Sequence, residues 1–428
     1  MILFPAFCGH AAVNFSGNTA RVVEVTPQAS TGLEAVYVLP STEGVVMEYA
    51  GASASAKWSA FGQAGGAYAE EIGTGTSVAC RKGDAGYIVE DNGRQHCFWV
   101  TDYSDHTLQL GSLVFSPEES DCARAALNFT GEASDIAYYN INGRRTVLSR
   151  ELALTWQTLD FDESSFSYVI SAGREVLDGA THVIHAPAAL CNTSYTLSGD
   201  RFLEAWNMGQ SIESPSVSAY AVDARTRATQ TPRDADNEIK DGSDGLGGSA
   251  PCEILFEAAV SDAAIYTRWE ISRSPEFETL ENSFSELEFS YTFTEQGTYY
   301  VRFTADNADA TCPFESEVYE IFIGESRLDI PNAFSPDASP GTNDEWKVSY
   351  KSIIDYECHI FNRWGKELFQ SKDPAQGWDG KYGGKYVPAG VYFYVIKAKG
   401  SDGRKYNKSG DINIINYKRS ETGSQPTE

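Results

Sequence analysis

Apolar side chains recur at every second position through most of this chain. In "RRTVLSRELALTWQTLDF" Leu152, Leu154 and Trp156 share one face. In "CEILFEAAV" Cys252, Ile254, Phe256 and Ala258 do the same, and in "GTYYVRFTAD" Tyr299, Val301 and Phe303 point one way while Arg302 and Thr304 point the other. A repeat of two belongs to a half-buried β-strand, because successive side chains leave opposite faces of the pleat. Clusters of Gly, Asn, Asp, Ser and Pro separate these runs, and no long stretch keeps the 3.6-residue repeat of an amphipathic helix. The pairs Asn92-Gly93 and Asn142-Gly143 have the left-handed preference of tight type I′ turns, so each predicts a hairpin. The fold class is all-β, a tandem row of Ig-like β-sandwich domains.

One strand breaks the alternation of apolar with polar. In "VYFYVI" Val391, Phe393 and Val395 take one face and Tyr392, Tyr394 and Ile396 the other, so neither face is polar. Both faces need cover. One is expected to join the core of its own domain, and the other to lie under a loop or a docking partner.

At 428 residues the chain is long enough for about three or four domains of 100 to 150 residues. Cysteines mark the division, two to a unit: Cys80 and Cys97, Cys122 and Cys191, Cys252 and Cys312. That usage predicts one staple in each domain of an exported protein. Cys358 is left over; it shares a face with Tyr356 and Ile360 and is expected as a buried free thiol. The resulting map has β-sandwich modules at 12–117 and 118–223, an Ig-like module at 251–325, a further β domain at 326–420 and a disordered tail at 421–428. Residues 224–250 are polar and rich in Gly and Asp, and read as a linker. Residues 1–11 read as the remnant of a secretory signal peptide, with Gly9 and Ala11 as the small residues of a cleavage site.

Charge narrows the range of partners. Residues 1–325 carry 18 Lys and Arg against 47 Asp and Glu, while residues 326–428 carry 15 against 13. So acidic a body repels phosphate backbones, and nucleic acid is excluded as a partner. No run approaches the roughly 20 apolar residues that span a bilayer as a helix.

Catalytic patterns are missing. The six histidines, 10, 96, 106, 182, 185 and 359, form no HExxH or Cys-His setting, and His182 and His185 lie three apart, on opposite faces of a strand. No GxSxG or phosphate-binding loop occurs. The chain is expected not to be an enzyme, although a pair of carboxylates for glycoside hydrolysis is defined by separation in space rather than by spacing in sequence. No cofactor is expected either. Calcium is the one ion that "DADNE" and "DGSDGLGG" have the ligand types for, but they lack the spacing and closing Glu of an EF-hand.

Two resemblances add to this reading. Cys252, Trp269 and Cys312, with the strands around them, resemble the framework of an Ig-like sandwich and the PKD-like repeats of cell-surface proteins. The ordered motifs "IPNAFSPDASPGTNDEWKV", "HIFNRWGKELFQS", "GWDGKYGGKYVPAGVYFYVIKA" and "GDINII" closely resemble the gliding-motility-associated C-terminal domain, the type B sorting domain of the type IX secretion system of the Bacteroidota. "DASPGTND", with Asp337, Asn343 and Asp344, departs from the Gly- and Asp-rich turn of that family, which puts a metal there in doubt.

The resemblance implies export to the cell surface, recognition by the type IX translocon and partnership with a PorP/SprF-like outer-membrane barrel. Its sorting or docking residues would be Phe361, Asn362, Arg363, Trp364, Gly365, Trp378, Asp379, Gly380, Gly390, Tyr392 and Tyr394. The reading is a secreted, outer-membrane-associated surface protein whose acidic modules bind an unidentified extracellular ligand. The alternatives are an envelope accessory of the barrel and, further off, a glycan-active enzyme.

Overall fold

In the computed structural model of the chain, residues 13–17, 21–240, 245–336 and 343–415 are described. The signal remnant, the tail, Cys8, Asp337 and the start of "DGSDGLGG" lie outside them. Among the described residues nearly every element is a strand; the one α-helix there, Arg201–Ala205, has five residues and is capped by the Asp200 carboxylate, which accepts from the Phe202 and Leu203 amides. The chain divides into two compact units, residues up to 162 with 168–221, and residues 163–167 with 222 onward.

The first unit is built on a six-stranded sheet. Its order is Val23–Val25, Ala35–Leu39, Arg94–Asp102, Ala85–Asp91, Lys57–Phe61, Glu70–Thr74. Tyr37, Trp58, Tyr87, Phe98 and Val100 pack on one face with Met47 and Val13 of the small sheet Val13–Ser16, Val46–Tyr49, Ser77–Ala79. Val36, Val38, Phe61, Cys97 and Trp99 pack on the other face into a second core, which continues through Leu127, Leu154, Trp156, Tyr195 and Trp206. The predicted modules 12–117 and 118–223 therefore share a core. Their boundary also falls earlier than expected, since Leu108–Ser116 pairs with Arg124–Ala133 in the second module's sheet.

A buried ionic clasp closes this unit. Arg150 Nη1 donates to the Asp200 carboxylate, Nη2 to the carbonyls of His106 and Ser134, and the Tyr103 hydroxyl donates to Asp200 at 2.9 Å. Asn92 and Gly93 are both left-handed, as a tight hairpin turn requires. At Asn142-Gly143 the turn is wider: only Gly143 is left-handed, and the Asn140 side chain accepts from the Asn142 and Arg144 amides.

The second unit holds the Ig-like sandwich and the last β domain. The sandwich sets Ala224–Gln230, Cys252–Val260 and Glu288–Phe293 against a sheet centred on Gly297–Asp306 and Tyr266–Ser272. Phe256, Trp269 and Phe303 form its core.

The predicted linker is largely built structure. Ala224–Gln230 is a strand paired along its whole length with Cys252–Val260, because its alternating Ala224, Thr226 and Ala228 are small enough to meet a neighbour's core without reading as hydrophobic. Residues 236–239 then strap onto the last domain. The Asn237 side chain donates to the carbonyls of Val348 (2.7 Å) and Pro374 (2.8 Å), the Ile239 amide donates to Tyr350 O (2.7 Å), and the Tyr350 amide returns to Asn237 O (3.1 Å).

None of the three predicted cysteine pairs forms. Cys80, Cys97, Cys252 and Cys358 are thiols, and Cys191 is also outside any disulfide. Cys122 and Cys312 are each disulfide-bonded, but not to the partners expected. The reason is the pleat. Cys97 faces the core shared with the second module, whereas Cys80 packs against the core on the opposite side of the same sheet. Cys252 Sγ is turned toward Gly247 O, 3.9 Å away. Burial pushes the Cys97, Cys252 and Cys358 thiols up to about 11, far from a reactive thiolate.

Candidate functional site

The last domain is built on a five-stranded sheet with one face packed. The order is Ala333–Phe334, Lys405–Ile414, Gly390–Gly400, Ile353–Phe361, Glu367–Ser371. Tyr356, Cys358 and Ile360, with Tyr392, Ile396 and Ala398 beside them, form the packed face, covered by Trp346, Trp378, Val348 and Val387. The cover is held by hydrogen bonds that buried indoles demand. Trp346 Nε1 donates to Pro331 O (2.7 Å) and Trp378 Nε1 to Lys381 O (3.0 Å), and the two tryptophans exchange backbone bonds.

Tyr392, expected as a docking residue, belongs to this core. It is 7% exposed, its ring meets Trp378, and its hydroxyl donates to Pro388 O. Tyr394 is half-buried against Trp346, 5.3 Å between ring centres. A Cβ at Gly410, on the neighbouring strand, would stand 2.8 Å from the Tyr394 hydroxyl, so that ring needs the glycine. Trp378 is likewise core.

The outer face is the one left open. Val391, Phe393 and Val395 are exposed along the central strand. Register sets Phe361 opposite Phe393 and His359 opposite Val395, while Asp411 flanks Phe393 from the other side. His359 stands between Glu367 (2.8 Å) and Glu357 (3.2 Å), and its hydrogen bond to Glu367 raises its pKa. The arrangement is an apolar stripe bordered by charge, the composition of a contact surface rather than of a reaction centre.

Beyond Phe361 the chain turns through residues 362–366. The Asn362 side chain accepts from the Trp364 amide and the Lys366 amide (3.0 Å each), and Gly365 takes the left-handed conformation that closes the turn. Trp364 is thereby pushed into solvent, 75% exposed, with the Arg363 guanidinium 4.3 Å over its ring. Asp379 accepts from the Lys381 amide and pairs with its ammonium at 2.9 Å. Gly380 is left-handed beside Phe334, and Gly390 opens the central strand.

Of the residues singled out from sequence, Phe361, Asn362, Arg363, Trp364 and Gly365 come together at one end of the sheet; Trp378 and Tyr392 are inside. Sequence reasoning passed over Val391, Phe393 and Val395 as the exposed face, and over Tyr382 and Tyr386. The signal for the last two was "KYGGKY", a Gly-Gly turn flanked by repeated Lys-Tyr pairs. Among the described residues no group of three His, Cys, Asp or Glu is placed to hold a metal ion, and no helix is long and apolar enough to cross a membrane.

Comparison with known proteins places these domains. No curated protein matches the chain. Solved structures that align with it include a tetra-tandem repeat from the extending region of a large adhesion protein, at 10% identity over 87% of this chain and 95% of that one, with a TM-score of 0.22. Three N-terminal domains of the bacteriophage RB49 highly immunogenic outer capsid protein align at 10% identity over 72% of this chain and 100% of that one, TM-score 0.22. Dimeric latent PorU from Porphyromonas gingivalis aligns at 12% identity over 76% of this chain and 36% of that one, TM-score 0.16. Residues 114–214 match the fibronectin type III domain, the module for which the sequence alone showed no family. Residues 328–414, the five-stranded sheet and its tryptophan cover, match the CHU_C type IX secretion signal domain, so this part of the chain is a domain of the type IX secretion signal kind, which supports export by that pathway.

Proposed function

We propose that this is a cell-surface binding protein displayed by the type IX pathway, and that the outer face of the sorting-domain sheet is what the export machinery reads. The reading rests on one observation: the central strand Gly390–Gly400 buries Tyr392 and Ile396 on one side and leaves Val391, Phe393 and Val395 in solvent on the other. Exposed apolar stripes on folded domains mark contact sites, and such contacts concentrate their energy in a few large side chains. Replacing Phe393 and Val395 by Ser tests it. A variant that melts like the parent yet stays in the periplasm supports the reading, and full export of a folded variant removes this face from recognition.

The acidic modules ahead of the sorting domain are the proposed ligand-binding part, and a PorP/SprF-like barrel is the partner proposed for the surface-retained form. Deleting residues 328–415 separates cargo from accessory. Loss of this protein alone from the surface fits a displayed cargo, whereas loss of other exported proteins fits an accessory of the machinery.

A further inference from the structure

The end of the sorting domain beyond the sheet carries aromatic rings and cations in pairs. Trp364 is the one exposed tryptophan of the eight. The hairpin Lys381–Tyr382 with Lys385–Tyr386, turning through Gly383 and Gly384, exposes Tyr382 and Tyr386 beside it. Every one of these rings has a cation over it: Arg363 at 4.3 Å from Trp364, Lys366 Nζ at 4.3 Å from Tyr382 and Lys381 Nζ at 4.7 Å from Tyr386. The Lys366 contact ties the 362–366 turn to the hairpin, so the three rings and Lys385 belong to one surface.

The nearby carboxylates are engaged, Asp379 with Lys381 and Glu367 with His359. Arg363, Lys366 and Lys385 are exposed. They concentrate positive charge at one end of a chain whose first 325 residues hold 47 acidic against 18 basic side chains.

Amphipathic rings at headgroup depth with lysine and arginine beside them are what an anionic bilayer surface selects. A stacked saccharide fits less well, because a cation already occupies a face of each ring. The net acidity of the chain does not by itself forbid the approach, since at physiological salt charge repulsion decays over roughly 8 Å. We propose that this end of the sorting domain rests on an anionic lipid surface, with Trp364, Tyr382 and Tyr386 among the headgroups and Arg363, Lys366 and Lys385 against the phosphates. The proposal stands apart from export, because it concerns where the folded protein sits.

The test uses the full chain and vesicles of phosphatidylcholine, alone or mixed equally with phosphatidylglycerol. Co-sedimentation is expected with the mixed vesicles only, falling as salt rises. Lys366→Glu in the exposed turn and Lys385→Glu in the exposed hairpin strand should each weaken it by roughly fivefold or more. A brominated lipid should quench the fluorescence of the parent but not of Trp364→Ala, the other seven tryptophans being buried. Equal binding to both vesicle types, no binding to either, indifference to the lysine reversals, or quenching that persists in Trp364→Ala would each overturn the proposal.

Discussion

The strands Ala35–Leu39 and Gly390–Gly400 both carry apolar side chains on two faces, and the molecule treats them differently. The first lies between two cores, one under the small sheet of Met47 and Val13 and one shared with the fibronectin type III module, and all five of its residues are buried. The second lies in a sheet with only one packed face. A doubly apolar strand thus means a three-layer interior in one place and an open contact face in the other. What differs is the neighbouring chain: a further sheet and module pack over the six-stranded sheet, while among the described residues no layer packs over Val391, Phe393 and Val395.

The same substitution in each sheet sharpens that contrast most. Phe98, on the strand beside Ala35–Leu39, meets Tyr37, Trp58 and Tyr87, so Phe98→Ala should destabilise the first unit by about 3–5 kcal/mol. Phe393→Ala, on the open face, should cost less than about 1 kcal/mol. Chemical denaturation of the two variants checks both. Equal losses would mean that the outer face of the sorting domain is covered, and the contrast would fail.

Arg150→Met probes how the first unit is held shut. It leaves Asp200, fully buried, without its guanidinium, and removing one partner of such a pair costs about 3–5 kcal/mol. Thermal melting should show the loss, and a variant as stable as the parent would make the clasp irrelevant to closure. The strap of the second unit is of another kind, neutral hydrogen bonds to backbone carbonyls. Asn237→Ala should therefore cost less, about 1–3 kcal/mol. It should also speed trypsin cleavage at Arg233, whose guanidinium is held by Glu238 and the Ser249 carbonyl.

That expectation for trypsin reverses what composition implies, and the reversal shows where sequence stops. The alternation in "CEILFEAAV", "GTYYVRFTAD" and "YECHIFN" was legible because each strand's own side chains carry it, and the buried Phe256, Phe303 and Cys358 follow from it. The motifs of the sorting domain were legible for the same reason. Residues 224–240 were not, since Ala224, Ala228 and Asn237 are ordered by groups on partner strands that a local pattern does not display. Cysteine spacing failed similarly: it counts thiols per domain, but Cys80 and Cys97 sit on opposite sides of one sheet. At the candidate site the alternation of Val391, Phe393 and Val395 against Tyr392, Tyr394 and Ile396 could be read. Which set faces inward was decided by Trp346 and Trp378, distant in sequence, and Tyr392 went to the core with them.

The smallest effect compares two histidines whose pKa a neighbouring carboxylate raises. His106 Nε2 lies 2.7 Å from Asp84, and that hydrogen bond favours the imidazolium; His359 is raised by Glu367 and then Glu357 on the open face of the sorting domain. A group whose folded pKa exceeds its unfolded value stabilises fully below the unfolded value and ceases to as pH rises through the folded one. The first unit should accordingly lose stability as pH climbs from about 6 upward, by less than about 1 kcal/mol. His106→Gln should flatten that slope. His359→Gln should leave the melting of the second unit nearly unchanged across the same range, because both carboxylates around it are exposed to water. A pH slope that disappears with His359→Gln and survives His106→Gln would place the charge-sensitive contact on the open sheet instead of in the closed unit.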